Sequence, residues 1–196
     1  MLLKLGIAKT PGSDSTHFNL PTDVAIANNG SFYVSDGYGN SRIVKFSKDG
    51  KYILSWGRKG TLSGEFNVPH SIDVDSYGNV YVADRENNRI QEFDSNGNFL
   101  KEWKNTEGTQ LFSLAVDKMN NVVATDNLYT NDSSPMGDDI LEFDSTLKLL
   151  KRFGRTDKSI DSNSLYHDIA IDYKGNIYVA DDVNNRIQKF RKVSVK

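Results

Sequence analysis

The chain has 196 residues, of which 37% are hydrophobic and 11% aromatic, enough to bury the core of one large domain and too many for a disordered polymer. Its 24 basic and 26 acidic residues leave a formal charge of -2 with no long basic run, so the electrostatic footprint of a nucleic-acid binder is missing and no nucleic-acid partner is expected. Cysteine is absent, which rules out disulfides and thiolate metal sites.

The opening stretch MLLKLGIA carries a lone Lys4 inside a short apolar run, lacking the basic leader and long apolar core of a signal peptide. No membrane-spanning segment follows, and the expectation for the sequence as given is a cytoplasmic protein without membrane partners. From residue 20 onward the chain repeats itself. YVADRENNRIQEF (81–93) returns almost unchanged as YVADDVNNRIQKF (178–190). Four copies align, at 20–57, 68–104, 111–154 and 165–195. A period of about 20 to 50 residues marks solenoids and propellers.

Within each copy, short alternating runs such as SIDVD, VYVAD, RIQEF and FLKEW have the period-two pattern of half-buried strands. The polar pairs between them, YGN, ENN and SNGN, suit tight hairpin turns, and no stretch has a helical period. Each copy therefore predicts a four-stranded antiparallel meander, in the first copy near 23–27, 31–35, 42–46 and 51–56, with the pattern recurring from 70, 112 and 167. One meander cannot bury both its faces alone, so copies must stack. Radial stacking of such sheets is a β-propeller, preferred over a sandwich because a sandwich needs no regular repeat. The predicted fold is all-β, a single propeller domain over residues 1–196. The recurring Asn88-Arg89-Ile90 and Asn185-Arg186-Ile187, with the variant Asn40-Ser41-Arg42-Ile43, are expected to hold the turns between blades.

The ends leave two architectures open. Copy four stops at KFRKVSVK without an outermost strand, while residues 2–7 resemble the last strand of the other copies, YILSWG, FLKEWK and LLKRFG. In one, residues 2–7 complete the fourth sheet and close a small ring. The alternative is an open arc of a six-bladed propeller, whose exposed apolar faces would favour self-association.

GNVYVADRENNRIQEFDSNGNFLKEWK (78–104) is similar to the NHL repeat, whose proteins form β-propellers, and the similarity covers most of the chain. LPTDVAI, YVSDGYGNSRIVKFS, FNVPHSIDV and VYVADRENNRIQ, in that order, resemble the peptidyl-α-hydroxyglycine α-amidating lyases. The resemblance implies a six-bladed, zinc-dependent carbon–nitrogen lyase that splits a C-terminal hydroxyglycine into a peptide amide and glyoxylate. It implies Tyr38 and Arg85 as active-site residues, His70 and His167 as zinc ligands, and Asp168 as a ligand of a structural calcium. Two positions depart from the family: Gly39 stands where animal members have a disulfide cysteine, and Leu165 where a methionine is usual.

The histidine spacing can be read without the family. His70 lies fourteen residues before Asp84 and His167 fourteen before Asp181; the same slot holds Thr22 and Phe112 in the other copies. This slot opens the first strand of each blade, which in a propeller lines the central channel. Three imidazoles in alternate blades of a six-bladed ring would leave zinc an open fourth position, as catalytic sites do. Alternation puts the third upstream of Met1, and His17, in the loop SDSTHFNLP, lies outside the slot. Two function classes follow: an enzyme in which Tyr38 is a general base and the guanidinium of Arg85 grips a carboxylate, or a non-catalytic propeller that binds a peptide or protein.

Overall fold

The computed structural model describes residues 3–129, 135–154 and 164–191. Every regular element among them is a strand apart from one 3-10 turn at Arg85–Asn87. The first blade is β1 (Asp23–Ile26), β2 (Phe32–Asp36), β3 (Arg42–Phe46) and β4 (Tyr52–Trp56); the second is β5 (Pro69–Val74), β6 (Val80–Asp84), β7 (Arg89–Phe93) and β8 (Phe99–Lys104). The third comprises β9 (Gln110–Val116), β10 (Val122–Tyr129), β11 (Pro135–Phe143) and β12 (Leu149–Gly154); the fourth has β13 (Tyr166–Ile171), β14 (Ile177–Asp181) and β15 (Arg186–Phe190). In each sheet the strands pair antiparallel in chain order. The predicted blades of a β-propeller are present, with boundaries within a residue or two of those expected.

Contacts gather the chain into two compact units, Met1–Glu102 and Trp103–Lys196, with the boundary inside β8. Inside the first unit, β1 lies against β5, and Ala25, Tyr33 and Ile43 of the first blade pack on Ile72, Val80, Val82 and Phe93 of the second. The second unit repeats the arrangement: β9 lies against β13, and Ala115, Val123 and Ile140 pack on Ile169, Ile177 and Val179. The registers show why. Tyr33 pairs with Ala25 and Lys45, Val123 with Ala115 and Glu142, so each blade has a forward face and a rear face set by strand alternation. Each large apolar side chain fully buried between blades contributes about 1.5–3 kcal/mol.

Residues 3–7 do not form the expected closing strand. Gly6 takes a left-handed φ of 83°, the backbone turns with Thr10 N–H donating to the Ile7 carbonyl (3.1 Å), and the Leu3 side chain lies over Gly50 in the β3–β4 turn. A strand cannot continue through such a turn. The fourth sheet has three strands among the described residues, as the sequence of copy four suggested. No helix among them is long and apolar enough to cross a membrane.

The hairpin turns share one device. Asp172 accepts from the backbone N–H of Lys174 and Asn176, both at 2.9 Å, and from Asn176 Nδ2 at 2.7 Å; Asp75, Asp94 and Asp117 do the same with Asn79, Asn98 and Asn121. A glycine or, in the third blade, Asn120 supplies the positive φ that each turn requires. The Asn176 side chain is the main cause that holds the Asp172 carboxyl low, at about 2, and Asn98 does the same for Asp94. A depressed folded pKa adds stability that is present above the unfolded value and lost as pH falls through the folded one. Asp172→Asn should therefore melt below the wild type at pH 6, and the gap should close as pH drops from about 4 to 2. A gap that stays constant across that window in thermal melts would show that the turn carboxylate is not coupled to folding.

Candidate functional site

The histidine slot is a β-bulge. In the second blade, Pro69 pairs with Asp84 and Ser71 with Ala83, leaving His70 as the extra residue; in the fourth, Tyr166 pairs with Asp181 and Asp168 with Ala180, leaving His167. Phe112 falls in the corresponding irregularity between Leu111 and Leu114. A bulge re-aims the side chain it carries, which is why bulges recur beside active sites. The sequence count found the slot without showing its cause.

In the first unit the structure brings together three of the expected residues. Tyr38 Oη lies 2.8 Å from His70 Nε2, with the rings edge to face at 5.5 Å, and the Arg85 guanidinium sits 5.5 Å from the Tyr38 ring centroid. His70 is 6% exposed, whereas Tyr38 is 49% exposed, so the imidazole is held and the phenol faces solvent. Glu86, which the sequence reading did not single out, forms an ion pair with Arg85 at 2.9 Å.

Backbone geometry holds this cluster. An added Cβ on Gly37 would overlap the Pro69 carbonyl oxygen, so the turn carrying Tyr38 approaches the start of β5 more closely than any other residue permits. Thr22, the slot residue of the first blade, donates from Oγ1 to the same Pro69 carbonyl at 2.7 Å. Leu20 and Val68, each before a proline, take left-handed φ values of 57° and 59°. Their carbonyls accept from Tyr38 N–H (3.2 Å) and Arg85 N–H (3.1 Å). Two strained residues thus place two candidate site residues.

His167 and Asp168 belong to the second unit. His167 is exposed, stands edge-on to Phe112 at 5.6 Å, and lines an open cavity of about 250 Å³ with Ala180, Asp181, Asp182 and Arg186. Burial works to raise the pKa of Asp181, but hydrogen bonds from Leu165 N–H, Asn184, Arg186 and Gln188 outweigh it and hold the carboxyl low. Asp168 accepts from Ser113 Oγ at 2.8 Å. His17 is tied to its own loop: Nδ1 meets Asp14 at 2.9 Å, and its carbonyl accepts from Arg42 at 2.7 Å.

Imidazole nitrogens suit zinc, but catalytic zinc needs three protein ligands. Among the described residues no group of three His, Asp or Glu side chains could hold a metal. A lone Asp168 carboxylate falls well short of the six to eight oxygens calcium takes.

The NHL repeat family matches residues 18–46, 66–93 and 167–190. The matched segments lie in the first, second and fourth blades. Over 198 residues it is 39% identical to the peptidyl-glycine alpha-amidating monooxygenase B of Xenopus laevis, covering 96% of this chain and 22% of that protein. It is 35% identical to the peptidyl-alpha-hydroxyglycine alpha-amidating lyase 1 of Drosophila melanogaster, again over 96% of this chain and over 38% of the relative. The chain thus spans from about a fifth to two fifths of these relatives' length. In solved structures, the WD40 β-propeller domain of Doa1 superposes with a TM-score of 0.63 at 14% identity, over 91% of this chain and 53% of that one, a likeness of fold alone. The resemblances to the NHL repeat and to the amidating lyases read from the sequence both stand.

Gly37→Ala should part the Tyr38 turn from the Pro69 strand and cost about 1–3 kcal/mol of stability through overpacking. Denaturant unfolding alongside the His70 ring resonances checks this. A variant with unchanged stability and unchanged His70 shifts would show that the close approach is dispensable.

Proposed function

We propose that the chain is a divergent or incomplete relative of the amidating lyases, acting on peptides that end in hydroxyglycine. The observation that carries the reading is the contact of Tyr38 Oη with His70 Nε2 at 2.8 Å, beside the Arg85 guanidinium. A phenol and a guanidinium side by side match a substrate with a hydroxyl and a carboxylate on one carbon. The Arg85 fork takes the carboxylate, exchanging Glu86 for it, as charge-assisted bidentate pairs allow. Tyr38, acting as the phenolate, takes the hydroxyl proton; the carbon–oxygen double bond of glyoxylate forms as the carbon–nitrogen bond breaks, and the departing nitrogen gains a proton to become the peptide amide.

His70 and His167 are the residues that would hold zinc, which would lend Lewis acidity at the hydroxyl. The reading calls for a third ligand beyond those described, so this chain binds zinc weakly. Asp168 would contribute one ligand to a structural calcium.

Titration with a hydroxyglycine-terminated peptide, and with the same peptide blocked at its carboxyl, tests the substrate class. Arg85→Ala should weaken binding of the free acid by about 10- to 100-fold, the worth of a charged hydrogen-bonded pair, and leave the blocked peptide unchanged. Tyr38→Phe should bind the free acid and release no glyoxylate. Equal affinity for the two peptides would leave only a peptide-binding module. In a zinc titration His70→Ala should weaken an already weak site; tight stoichiometric binding by the wild type would show that a third ligand is present after all.

A further inference from the structure

We infer, on the reading that Arg85 takes a terminal carboxylate, that Glu86 is a tethered carboxylate competing with the ligand for Arg85 and, once displaced, selecting peptides with a cationic side chain just before their last residue. In this structure the guanidinium is already engaged: Nε and Nη2 both reach Glu86 Oε1, each at 2.9 Å. The same guanidinium lies 5.5 Å from the Tyr38 ring centroid, so the glutamate and the phenol meet at one group.

The turn does not need the pair. The fourth blade makes the equivalent turn with Asp182 and Val183 where the second has Arg85 and Glu86. In both blades the first of the two residues donates its N–H to a carbonyl of the entering segment, Arg85 to Val68 at 3.1 Å and Asp182 to Leu165 at 2.9 Å. In both, the next asparagine bonds the buried aspartate, Asn87 to Asp84 at 2.8 Å and Asn184 to Asp181 at 3.0 Å. A second asparagine then takes a left-handed φ, 53° at Asn88 and 50° at Asn185. The backbone therefore closes without an arginine or a glutamate, and the two charges stand together in the blade whose histidine meets Tyr38.

The side chains of Arg85 and Glu86 are 17% and 32% exposed, so solvent screens their attraction and the glutamate competes by a few-fold without blocking the site. An incoming carboxylate displaces it by taking the guanidinium fork in a bidentate pair. One cation then stands between two carboxylates where there had been a balanced pair. Glu86 stays beside the ligand, since it is the neighbour of Arg85 and its own N–H donates to the Asn67 carbonyl at 3.1 Å. A lysine or arginine side chain on the residue before the terminal one restores the balance by pairing with the released glutamate, and an acidic side chain there adds a repulsion. Arg85 thus reads the terminal carboxylate and Glu86 the side chain next to it.

Isothermal titration calorimetry of the full chain tests this with hydroxyglycine-terminated peptides that differ only in the residue before the last. Lysine, norleucine, which keeps lysine's chain without its amine, and glutamate are compared. The wild type should bind the lysine peptide about 2- to 5-fold tighter than the norleucine one, and the glutamate peptide more weakly than either. Glu86→Gln should tighten the norleucine peptide by about 2- to 5-fold and bring it level with the lysine peptide. Glu86→Val, which copies the fourth blade, should do the same. If Arg85→Ala weakens none of the peptides, the carboxylate reading falls and the role of Glu86 falls with it. If Arg85→Ala weakens all of them, the role of Glu86 alone is overturned by a wild type that binds the lysine and norleucine peptides equally, by a lysine preference that survives in Glu86→Gln, or by a norleucine affinity that this substitution leaves unmoved.

Discussion

Everything in these blades hangs on a buried aspartate at the end of the second strand. Asp36, Asp84 and Asp181 each accept from a backbone N–H of the segment that enters their blade, namely those of Asn19 (2.8 Å), Asn67 (2.7 Å) and Leu165 (3.1 Å). Each also receives an arginine Nε from the facing strand: Arg42 at 2.9 Å, Arg89 at 2.8 Å, Arg186 at 2.8 Å. The guanidinium then spends its remaining donors on carbonyls of the incoming loop, as Arg89 does with Thr61, Leu62 and Glu65. A buried charge pair offsets its desolvation only when its remaining hydrogen-bonding groups find partners, and the loop carbonyls serve that end for Arg42 and Arg89. Removal of either partner at Asp36–Arg42 or Asp84–Arg89 would strand a buried charge, a loss of about 3–5 kcal/mol. The balance differs between copies: burial wins at Asp84 and raises its pKa, while at Asp181 the hydrogen bonds win and lower it.

The third blade shows the same constraint met by other means. Its aspartate is Asp126, but the register partner on β11 is Asp139 where the other blades have arginine. Two carboxylates facing each other in a core would repel, and the guanidinium arrives instead from the neighbouring strand, where Arg152 pairs with both Asp126 and Asp139 and reaches Glu107 at 3.0 Å. The lock is conserved in charge and not in position. It explains how LFSLAVDKMNNVVATDN can fold as a blade although it lacks the Asn-Arg-Ile signature of its neighbours.

How far the sequence could be read follows from which interactions are local in register. Strand alternation and the Asp-x-x-Gly-Asn turns are written in consecutive residues, so blades and hairpins were legible to within a residue or two. The Asn-Arg-Ile repeat was legible as a turn-holding element, and its guanidiniums do bind the loops between strands. The strand expected at 2–7 failed because apolar alternation in LLKLGI says nothing of the left-handed turn that Gly6 introduces. At the site, the fourteen-residue spacing located the histidines, but the meeting of His70 with Tyr38 rests on the missing side chain of Gly37 and on the Pro69 carbonyl, contacts between segments some thirty residues apart. The Arg85–Glu86 pair was readable only as two adjacent charges.

Strain gives the last step. A β-branched residue with positive φ is a rare and costly state, on the order of 1–3 kcal/mol, and Val68 adopts it directly before Pro69 and His70. Fold stability alone does not require the cost, since Leu165 serves the same role in the fourth blade, its carbonyl accepting from Asp182 N–H at 2.9 Å, and is not among the positive-φ residues. What separates the strained positions, Leu20 and Val68, is that their carbonyls anchor Tyr38 and Arg85, the two side chains that converge at His70. Among the described residues, positive φ outside glycine and asparagine occurs at Lys9, Leu20, Val68 and Leu147, and two of these four hold the phenol and the guanidinium in fixed relation, within blades that the Asp–Arg locks make rigid.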